Sequence, residues 1–361
     1  MNKTPLDRSF TEAILHWYDA NKRDLPWRKD KDPYHVWVSE IMLQQTRVEA
    51  VREYYLRFME ALPTVRHLAE ADEETILKLW QGLGYYNRVR NMQKAARVVL
   101  SEADDCSAEQ NPSVYFPRHV EGIKALPGIG DYTAGAIASI CFDAPTPAID
   151  GNVLRVLSRI LEDDEDIKKA SVKRKMADLL KDLYPEGPKC GDFTQGMIEL
   201  GALVCVPNGK PLCEGCPVSK WCGSFAHGTQ MEFPVKPVKK ERKAEERTVF
   251  LLVTEGGRIA VRKRPAGSLL GNLYEFPAVP QHLTAEAAVS QAQAWGCRPE
   301  GPGRVLHHKH IFSHVEWHMK AYYLLCKDEG SGDGRFIWVD KQEMEEKIPL
   351  PSAFRYFWEN V

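Results

Sequence analysis

Apolar residues in the first 225 positions recur at helical spacing, and prolines and glycines separate the runs. The clearest helix begins at Asp32, an N-cap residue followed by Pro33 at the first helical position. Its apolar face continues to Tyr55 and ends before Pro63, so one long helix is predicted there. Further helices are predicted at residues 73–80, 87–101, 118–125, 131–141, 152–160, 168–184 and 192–205. This pattern predicts an all-α domain over residues 1–225.

After residue 247 the apolar positions change from helical spacing to a period of two. Strands are predicted at residues 248–253, 258–263, 315–326 and 335–339, with one helix at 284–294. These elements predict an α+β domain over residues 248–361, so the chain is expected to be multidomain. Residues 226–247 contain prolines and charges of both signs but few apolar side chains, so they are predicted to be a linker.

The 361 residues are 43% hydrophobic and 10% aromatic, which is typical of a folded globular protein and excludes a disordered regulator. No stretch approaches the roughly 20 apolar residues that a membrane-spanning helix needs. Residues 1–10 lack the apolar run of a secretory signal, so we expect an intracellular protein. The formal net charge is −2, so a role in nucleic-acid binding has to rest on motifs rather than on a basic surplus.

The nine cysteines fall into two groups. Five are scattered and are predicted to be small core residues: Cys106, Cys141, Cys190, Cys297 and Cys326. The other four, with the spacing C-x7-C-x2-C-x5-C, are Cys205, Cys213, Cys216 and Cys222. In a reducing compartment such a cluster indicates a metal site rather than disulfides. Four thiolates can bind either Zn²⁺ or an iron–sulfur cluster, and composition alone does not distinguish the two.

Residues 126–136 are predicted to comprise a tight turn and the start of the following helix, which is rich in small residues. Gly128 and Gly130 in this turn permit positive φ angles and let another backbone come close. The free N–H groups at the start of the following helix can bind an anion. The alternative is a plain helix–turn–helix corner in which the glycines serve only packing.

Two carboxylates are candidates for acid–base chemistry. Asp150 stands just before the helix at 152–160, whose positive end should keep the carboxylate ionised near neutral pH. Glu40 lies one turn into an apolar segment, so burial should raise its pKa and suit it to act as a general acid. The alternatives are an ordinary N-cap aspartate and an ordinary surface glutamate.

The turn and Asp150 together resemble the helix-hairpin-helix and Gly/Pro-Asp superfamily of base-excision DNA glycosylases. The cysteine spacing resembles the motif of the iron–sulfur branch of that superfamily, with a first gap that is one residue longer here. Within the superfamily, residues 24–46, 82–86 and 199–205 resemble MutY-type adenine DNA glycosylases. Proton donation by a buried Glu40 is consistent with that resemblance.

The C-terminal domain resembles the same family. Residues 269–277 and 310–314 are similar to the Nudix-like domain that recognises 8-oxoguanine. True Nudix hydrolases use a run of glutamates to hold metal, whereas residues 278–297 offer only Glu286. The resemblance therefore implies a Nudix-like fold without hydrolase chemistry.

The resemblance implies a monofunctional glycosylase that flips out adenine mispaired with 8-oxoguanine or guanine and hydrolyses its glycosidic bond. Glu40 and Asp150 are implied to be catalytic, with Tyr132 and Asn152 orienting them. The adenine pocket is implied to comprise Arg23, Trp27, Arg28, Leu43 and Gln195. Contacts with DNA or 8-oxoguanine are implied for Gln44, Gln45, Thr46, Leu83, Tyr85, Gly128, Gly130, Phe312, Ser313 and His314.

The resemblance also implies a [4Fe–4S] cluster on the four clustered cysteines in the loop at 205–222, and a helix-hairpin-helix at about 118–140. The expected partner is double-stranded DNA that contains the mismatch. We expect a monomer in the bacterial cytoplasm, associated with the nucleoid and not with a membrane.

Two other functions fit parts of the sequence. An endonuclease III-like glycosylase/lyase fits the N-terminal half, but lyases of that type have a lysine where this chain has Tyr132. A phenol cannot replace an amine as the nucleophile that forms a Schiff base, so the lyase step should be absent. A non-catalytic iron–sulfur DNA-binding protein is the second alternative, and the presence of both Glu40 and Asp150 argues against it.

Overall fold

The computed structural model describes residues 6–102, 116–235, 241–329 and 334–361. The chain divides into two compact units. The first unit comprises Met1–Glu70 and Arg90–Val238, and the second comprises Ala71–Val89 and Lys239–Val361. We call residues 71–89 the crossover segment, because they precede most of the first unit in sequence but pack with the second.

The first twelve helices span the N-terminal part of the chain. They are α1 (Arg8–Asn21), α2 (Pro33–Leu43), α3 (Val48–Ala61), α4 (Val65–Glu70), α5 (Glu73–Leu79), α6 (Asn87–Ser101), α7 (Val120–Ala125), α8 (Asp131–Phe142), α9 (Gly151–Leu161), α10 (Ala170–Lys181), α11 (Lys189–Leu203) and α12 (Gly223–His227). The prediction of an all-helical N-terminal part is therefore confirmed. Helices α1, α4 and α12 were not predicted. Among the described residues, no helix is long and apolar enough to cross a membrane.

The single long helix predicted from Asp32 is wrong, because the chain breaks between α2 and α3. Gln45 lies in this break with φ of 62°, a left-handed conformation that no α-helix accommodates. Asp32 does cap α2 through a side-chain bond from the Tyr34 N–H, as predicted. The break turns Gln44, Gln45 and Thr46 away from the helix and into the wall of a cavity.

Small residues let three helices of the first unit approach closely. A Cβ atom at Gly135 of α8 would overlap the carbonyl oxygen of Pro147, in the segment that leads to Asp150. A Cβ atom at Gly201 of α11 would lie 2.6 Å from Cβ of Asn152, at the start of α9. These two glycines therefore bring the beginning of α9 against both neighbouring helices.

The second unit contains a mixed seven-stranded sheet covered by helices. Its elements are β1 (Lys243–Thr254), β2 (Ile259–Lys263), β3 (Tyr274–Glu275), β4 (Ala278–Val279), α13 (Ala285–Ala294), β5 (Val305–Ile311), β6 (Val315–Cys326), β7 (Ile337–Val339), α14 (Lys341–Glu346) and α15 (Ser352–Trp358). The strand order is β3-β2-β1-β6-β5, with β4 paired to β1 and β7 paired to β2. Strands β1 and β6 run parallel over their full length, and the other pairs are antiparallel.

Residues 248–254 of β1 are buried without interruption, and their alternate side chains pack against helices on opposite faces of the sheet. Leu251 contributes to one apolar cluster, together with Phe354 of α15. Phe250 and Leu252 contribute to another cluster, together with Ala288 of α13. The predicted α+β architecture is therefore confirmed, although β3, β4, β5, α14 and α15 were not predicted.

Two parts of the predicted domain map require correction. Strand β1 begins at Lys243, so residues 243–247 of the predicted linker 226–247 belong to the sheet; residues 236–240 lie outside the described residues. The crossover segment was predicted to belong to the N-terminal domain at 1–225, whereas it packs with the second unit. The helical periodicity predicted α5, but it does not show whether the helix packs in the first unit or in the second.

Candidate active site

One cavity of about 700 Å³ in the first unit collects most of the predicted active-site residues. Its lining includes Arg23, Trp27, Arg28, Glu40, Leu43, Gln44, Gln45, Thr46, Tyr132, Asp150, Asn152 and Gln195. These residues come from widely separated parts of the sequence, so their convergence is a property of the fold. A cavity of this size can hold a nucleobase with its sugar.

Glu40 of α2 is the buried acid of the cavity, with 8% of its surface exposed. The Tyr132 hydroxyl of α8 donates a hydrogen bond of 2.5 Å to Glu40 Oε2. Burial raises the pKa of Glu40 to about 7; the Asp150 charge adds to this rise, while the Tyr132 bond and the Arg28 charge oppose it. The carboxyl group can therefore carry a proton at neutral pH, as an acid catalyst must.

Asp150 is the N-cap of α9 and is held by two hydrogen bonds. The Val153 N–H and Asn152 Nδ2 each donate to it at 2.7 Å. Burial nevertheless raises the pKa of Asp150, against the lowering effect of these bonds and of the Arg155 charge. The helix start was predicted to keep Asp150 ionised near neutral pH, and burial of the carboxyl group opposes that effect.

A buried ion-pair cluster forms another wall of the cavity. Glu199 of α11 is fully buried and accepts bonds from Arg23 at 2.8 Å and from Arg28 at 3.0 Å. Burial raises the pKa of Glu199, but the bonds from the two arginines outweigh it and lower the pKa to about 2. Both arginines were predicted to shape the pocket, whereas Glu199, which fixes them, was not assigned a role. An acidic residue inside the apolar helix at 192–205 was the available signal, because a buried charge needs a partner.

Arg155 connects Asn152 in the cavity wall to the cysteine loop, and sequence analysis did not assign it a role. Its Nη2 donates to Asn152 Oδ1 at 2.9 Å and to the Gly201 carbonyl at 2.8 Å. Its Nε donates to the Cys205 carbonyl at 2.8 Å. The guanidinium thereby fixes the amide that in turn holds Asp150. The helical periodicity of the sequence predicts that Arg155 lies in a helix, but it cannot show which groups its side chain contacts.

The predicted hairpin lies between α7 and α8, outside the cavity. Gly128 has φ of 80°, and a Cβ atom there would lie 2.6 Å from Cβ of Asn91. Gly130 differs from the prediction, because its φ is −100° and any residue could adopt it. A Cβ atom at Gly130 would meet nothing within 4 Å, so this N-cap position of α8 is open to an approaching group. Gly128 therefore permits close packing against Asn91, whereas the open position at Gly130 leaves the N–H groups at the start of α8 accessible to an anion.

The four clustered cysteines surround one small, largely apolar cavity in the first unit. Cys205, Cys213, Cys216 and Cys222 are all free thiols. Among the described residues, no group of three or more such side chains is placed to hold a single metal ion. Four thiols around one cavity are the donor set of an iron–sulfur cluster as well as of a zinc site.

Hydrogen-bond donors surround these sulfur atoms. Arg159 Nη1 lies 3.2 Å from Cys205 Sγ. Backbone N–H groups donate to Cys216 and Cys222, yet burial still raises the pKa of these two thiols to about 12 and about 11.

Three of the other cysteines match the prediction of core residues. Cys190, Cys297 and Cys326 are buried, and Cys141 is half-buried. Cys106 lies outside the described residues.

A second group of predicted contact residues meets within the second unit. Phe312, Ser313 and His314 form the turn between β5 and β6, and the Phe312 N–H donates to the Val315 carbonyl at 2.8 Å. Ser313 and His314 are exposed. Tyr85 of the crossover segment is 52% exposed, and its hydroxyl lies 2.5 Å from Ser313 Oγ.

Leu83 does not lie with these exposed residues. Only 7% of its surface is exposed, so its side chain is buried rather than available to a duplex. The predicted contact at Leu83 is therefore not supported by its position.

The fold and the site together define a DNA glycosylase of base excision repair. Residues 38–182 match the HhH-GPD superfamily of base excision DNA repair proteins, and residues 248–360 match the NUDIX domain. Adenine DNA glycosylase of Rattus norvegicus is 35% identical over 98% of this chain and 78% of its own length. The enzyme of the same name from Mus musculus is 37% identical over 88% and 70% of the two chains. The chain belongs to the adenine DNA glycosylase family.

A solved structure of a thermostable thymine-DNA glycosylase has the same fold as the first part of the chain. It is 28% identical, with a TM-score of 0.52, and it covers 61% of this chain and 97% of its own. The predicted family and fold class are confirmed by these matches.

Proposed function

We propose that this glycosylase removes adenine mispaired with 8-oxoguanine by hydrolysis and leaves the DNA strand intact. The observation that carries the proposal is the pair of carboxylates in one cavity with separate hydrogen-bond partners, the buried Glu40 and the half-buried Asp150. Enzymes that cleave glycosidic bonds usually do so with two carboxyl groups that lie in different environments.

Glu40 is the general acid in this proposal. Adenine is a poor leaving group as an anion, so protonation at N7 must accompany departure of the base. The pKa of about 7 leaves much of Glu40 protonated at neutral pH. The short bond from Tyr132 holds the carboxyl group in place. After the base leaves, Glu40 can accept a proton from the attacking water.

Asp150 stabilises the positive charge that develops on the sugar as the base departs. Its two hydrogen bonds, from the Val153 N–H and from Asn152, favour the carboxylate form and fix its direction. A fixed negative group in a cavity with little water stabilises a developing cation more strongly than it would in water. Arg155 supports this arrangement through Asn152.

The adenine is held by the wall that contains Trp27, Arg28, Leu43 and Gln195, with Arg23 and Glu199 fixing Arg28. Gln44, Gln45 and Thr46 lie at the break between α2 and α3 and contact the duplex from which the base is flipped. The open N–H groups beside Gly128 and Gly130 bind backbone phosphate.

Tyr132 supports hydrolysis without strand cleavage. It stands where lyases of the superfamily have a lysine, and its hydroxyl is committed to Glu40. Burial raises the pKa of Tyr132 well above its ordinary value, so the phenol stays neutral and is a poor nucleophile. Position 132 therefore offers no amine that could form a Schiff base.

The 8-oxoguanine strand is read by Tyr85, Phe312, Ser313 and His314. The lesion differs from guanine by an oxygen at C8 and a hydrogen at N7. Ser313 Oγ can accept from that N7–H while it donates its own hydrogen to the Tyr85 hydroxyl, whereas guanine offers only an unprotonated N7 there. The resulting mismatch of hydrogen-bonding groups favours the lesion.

Cys205, Cys213, Cys216 and Cys222 would hold a [4Fe–4S] cluster. When bound, the cluster would stabilise the loop at 205–222, because cleavage of a glycosidic bond needs no electron transfer. Purified protein should contain about four iron and four sulfide ions per chain and no stoichiometric zinc. We place the enzyme, as a monomer, in the bacterial cytoplasm at the nucleoid, where its DNA substrate is found.

The deciding experiment uses a duplex with one 8-oxoguanine:adenine pair. We expect a strand break only after alkali treatment, because hydrolysis leaves an intact abasic strand. Breakage without alkali would indicate an endonuclease III-like lyase. No breakage under either condition, with the duplex still bound, would indicate a non-catalytic DNA-binding protein.

A further inference from the structure

The crossover segment is anchored to the second unit by donors on and just after α5. Lys78 Nζ donates to the carbonyl oxygens of Met344 and Ile348 at 3.3 and 3.1 Å. Gln81 Nε2 donates to the carbonyl of Leu350 at 2.9 Å. These carbonyl groups lie at and beyond the end of α14, where a helix leaves its last acceptors without internal partners. A lysine ammonium group is well suited to that position.

A second set of contacts lies at the other end of α5 and is more exposed. Glu74 accepts from Lys263 at 3.0 Å and from Tyr274 at 3.3 Å. Asn272 lies 3.3 Å from Glu73. Exposed pairs of this kind contribute little, because water screens them. Lys78 is half-buried, and burial lowers its pKa, so its bonds are made with less competition from water.

The anchored segment continues into a preformed loop that presents Tyr85. Trp80 is fully buried, and its Nε1 donates to the Gly84 carbonyl at 3.0 Å. Arg88 donates to the Leu83 carbonyl at 3.0 Å, and its guanidinium lies 5.7 Å from the Tyr85 ring. Tyr85 itself has φ of 48°, a left-handed conformation that a tyrosine adopts only when its surroundings require it.

We propose that Lys78 and Gln81 are positioning residues that set the register of Tyr85 against Ser313 and so determine discrimination between 8-oxoguanine and guanine. This inference rests on the proposed reading of the lesion by Tyr85 and Ser313. Lys78 and Gln81 lie in the same chain segment as Tyr85, and their acceptors belong to the unit that carries Ser313. Displacing the segment would separate the two hydroxyl groups without changing either one.

The test compares Lys78→Met with the wild-type enzyme in single-turnover excision on 8-oxoguanine:adenine and guanine:adenine duplexes, at one fixed salt concentration. We expect the ratio of the two rates to fall about tenfold, the size expected for losing one charge-assisted hydrogen bond. Excision from guanine:adenine should stay within about twofold of wild type, which also shows that the enzyme has folded. Gln81→Leu should lower the ratio in the same direction by a smaller factor.

Two further variants separate positioning from simple loss of structure. Lys78→Arg keeps the donors and should restore most of the ratio. Lys341→Met removes an exposed lysine of α14 in the same unit and should leave the ratio unchanged. Combining Lys78→Met with Ser313→Ala should cost no more than Ser313→Ala alone, because both act on one contact.

Equal losses on both duplexes, an unchanged ratio in Lys78→Met, or no rescue by Lys78→Arg would overturn the positioning role. If Lys78→Met leaves the ratio unchanged while Ser313→Ala lowers it, only the inference about Lys78 fails. If Ser313→Ala also leaves the ratio unchanged, the proposed reading of the lesion fails with it.

Discussion

The cavity of the first unit and the turn at 312–314 in the second unit use polar residues in opposite ways. In the cavity, Glu40 is buried, Asp150 is half-buried, and both already have hydrogen-bond partners. In the turn, Ser313 and His314 are exposed. Acid–base chemistry needs shifted pKa values and fixed groups, which burial and bonding supply. Recognition of a base within a duplex requires exposed polar groups that can contact the DNA.

This difference predicts that substitutions in the two regions fail in different ways. Changes in the cavity should lower excision from every duplex by the same factor. Changes in the turn should alter the ratio between duplexes while the chemistry itself continues. The predictions below run from the largest expected effect to the smallest.

Asp150→Asn should lower single-turnover excision roughly a thousandfold on either duplex, because it removes a fixed charge beside the developing cation. Binding of the duplex should stay near the wild-type value, since the amide can still accept from the Val153 N–H. Asp178→Asn, an exposed change on α10, is the matched control. A rate within tenfold of wild type would remove Asp150 from the mechanism.

Glu40→Gln should lower excision about a hundredfold, because the variant has no proton to donate at N7. In the wild type, excision should decline as pH rises through about 7, where Glu40 loses its proton. A pH-independent rate between pH 5 and 9 would contradict the acid role.

The same variant should be more stable than wild type in alkaline solution. Burial raises the Glu40 pKa above its unfolded value, so the unfolded chain releases this proton at lower pH than the folded one. The wild type therefore loses stability as pH rises from the ordinary glutamate range to about 7. Gln cannot ionise, so at pH 8 the variant should gain about 2 kcal/mol in unfolding free energy. Denaturant titrations at pH 5 and pH 8 measure this, and a less stable variant at pH 8 would contradict it.

Ser313→Ala combined with His314→Ala should lower discrimination between the two duplexes by about ten- to a hundredfold, from the loss of one matched hydrogen bond. Deleting residues 248–361 is a less clear test, because the crossover segment would lose the partners of Lys78 and Gln81. Binding of both duplexes should be measured at one salt concentration. An equal loss on both would mean a phosphate contact rather than lesion reading.

Tyr132→Lys should produce the smallest gain of activity, a weak ability to nick the abasic strand. The change places an amine where lyases of the superfamily have one, but it also removes the bond that holds Glu40. Borohydride should trap a small fraction of the variant on DNA and almost none of the wild type. Efficient trapping of the wild type would show that the monofunctional assignment is wrong.

Local sequence patterns predicted the secondary structure better than they predicted which groups meet. The Asp32-Pro33 start of α2, the hairpin between α7 and α8, and the position of strand β1 all follow from local preferences. The break after α2 did not, because the left-handed conformation of Gln45 depends on tertiary packing. Apolar residues continue at helical spacing across the break, so the sequence pattern alone does not reveal it.

The site residues that sequence analysis missed are those whose role depends on a partner far away in the sequence. Glu199 matters because Arg23 and Arg28 reach it, and Arg155 matters because it reaches Asn152. Likewise, nothing in the α5 sequence indicates that the crossover segment packs with the second unit. Such assignments require the three-dimensional fold, because they depend on contacts far apart in the sequence.

The central claim is that the first unit carries out the chemistry and the second unit reads the lesion. It is tested by single-turnover excision on 8-oxoguanine:adenine and guanine:adenine duplexes with wild type, Asp150→Asn, and the Ser313→Ala and His314→Ala double variant. We predict that Asp150→Asn slows both duplexes by the same factor, whereas the double variant slows only the 8-oxoguanine:adenine duplex. A double variant that slows both duplexes equally, or an Asp150→Asn variant that slows only one, would contradict it.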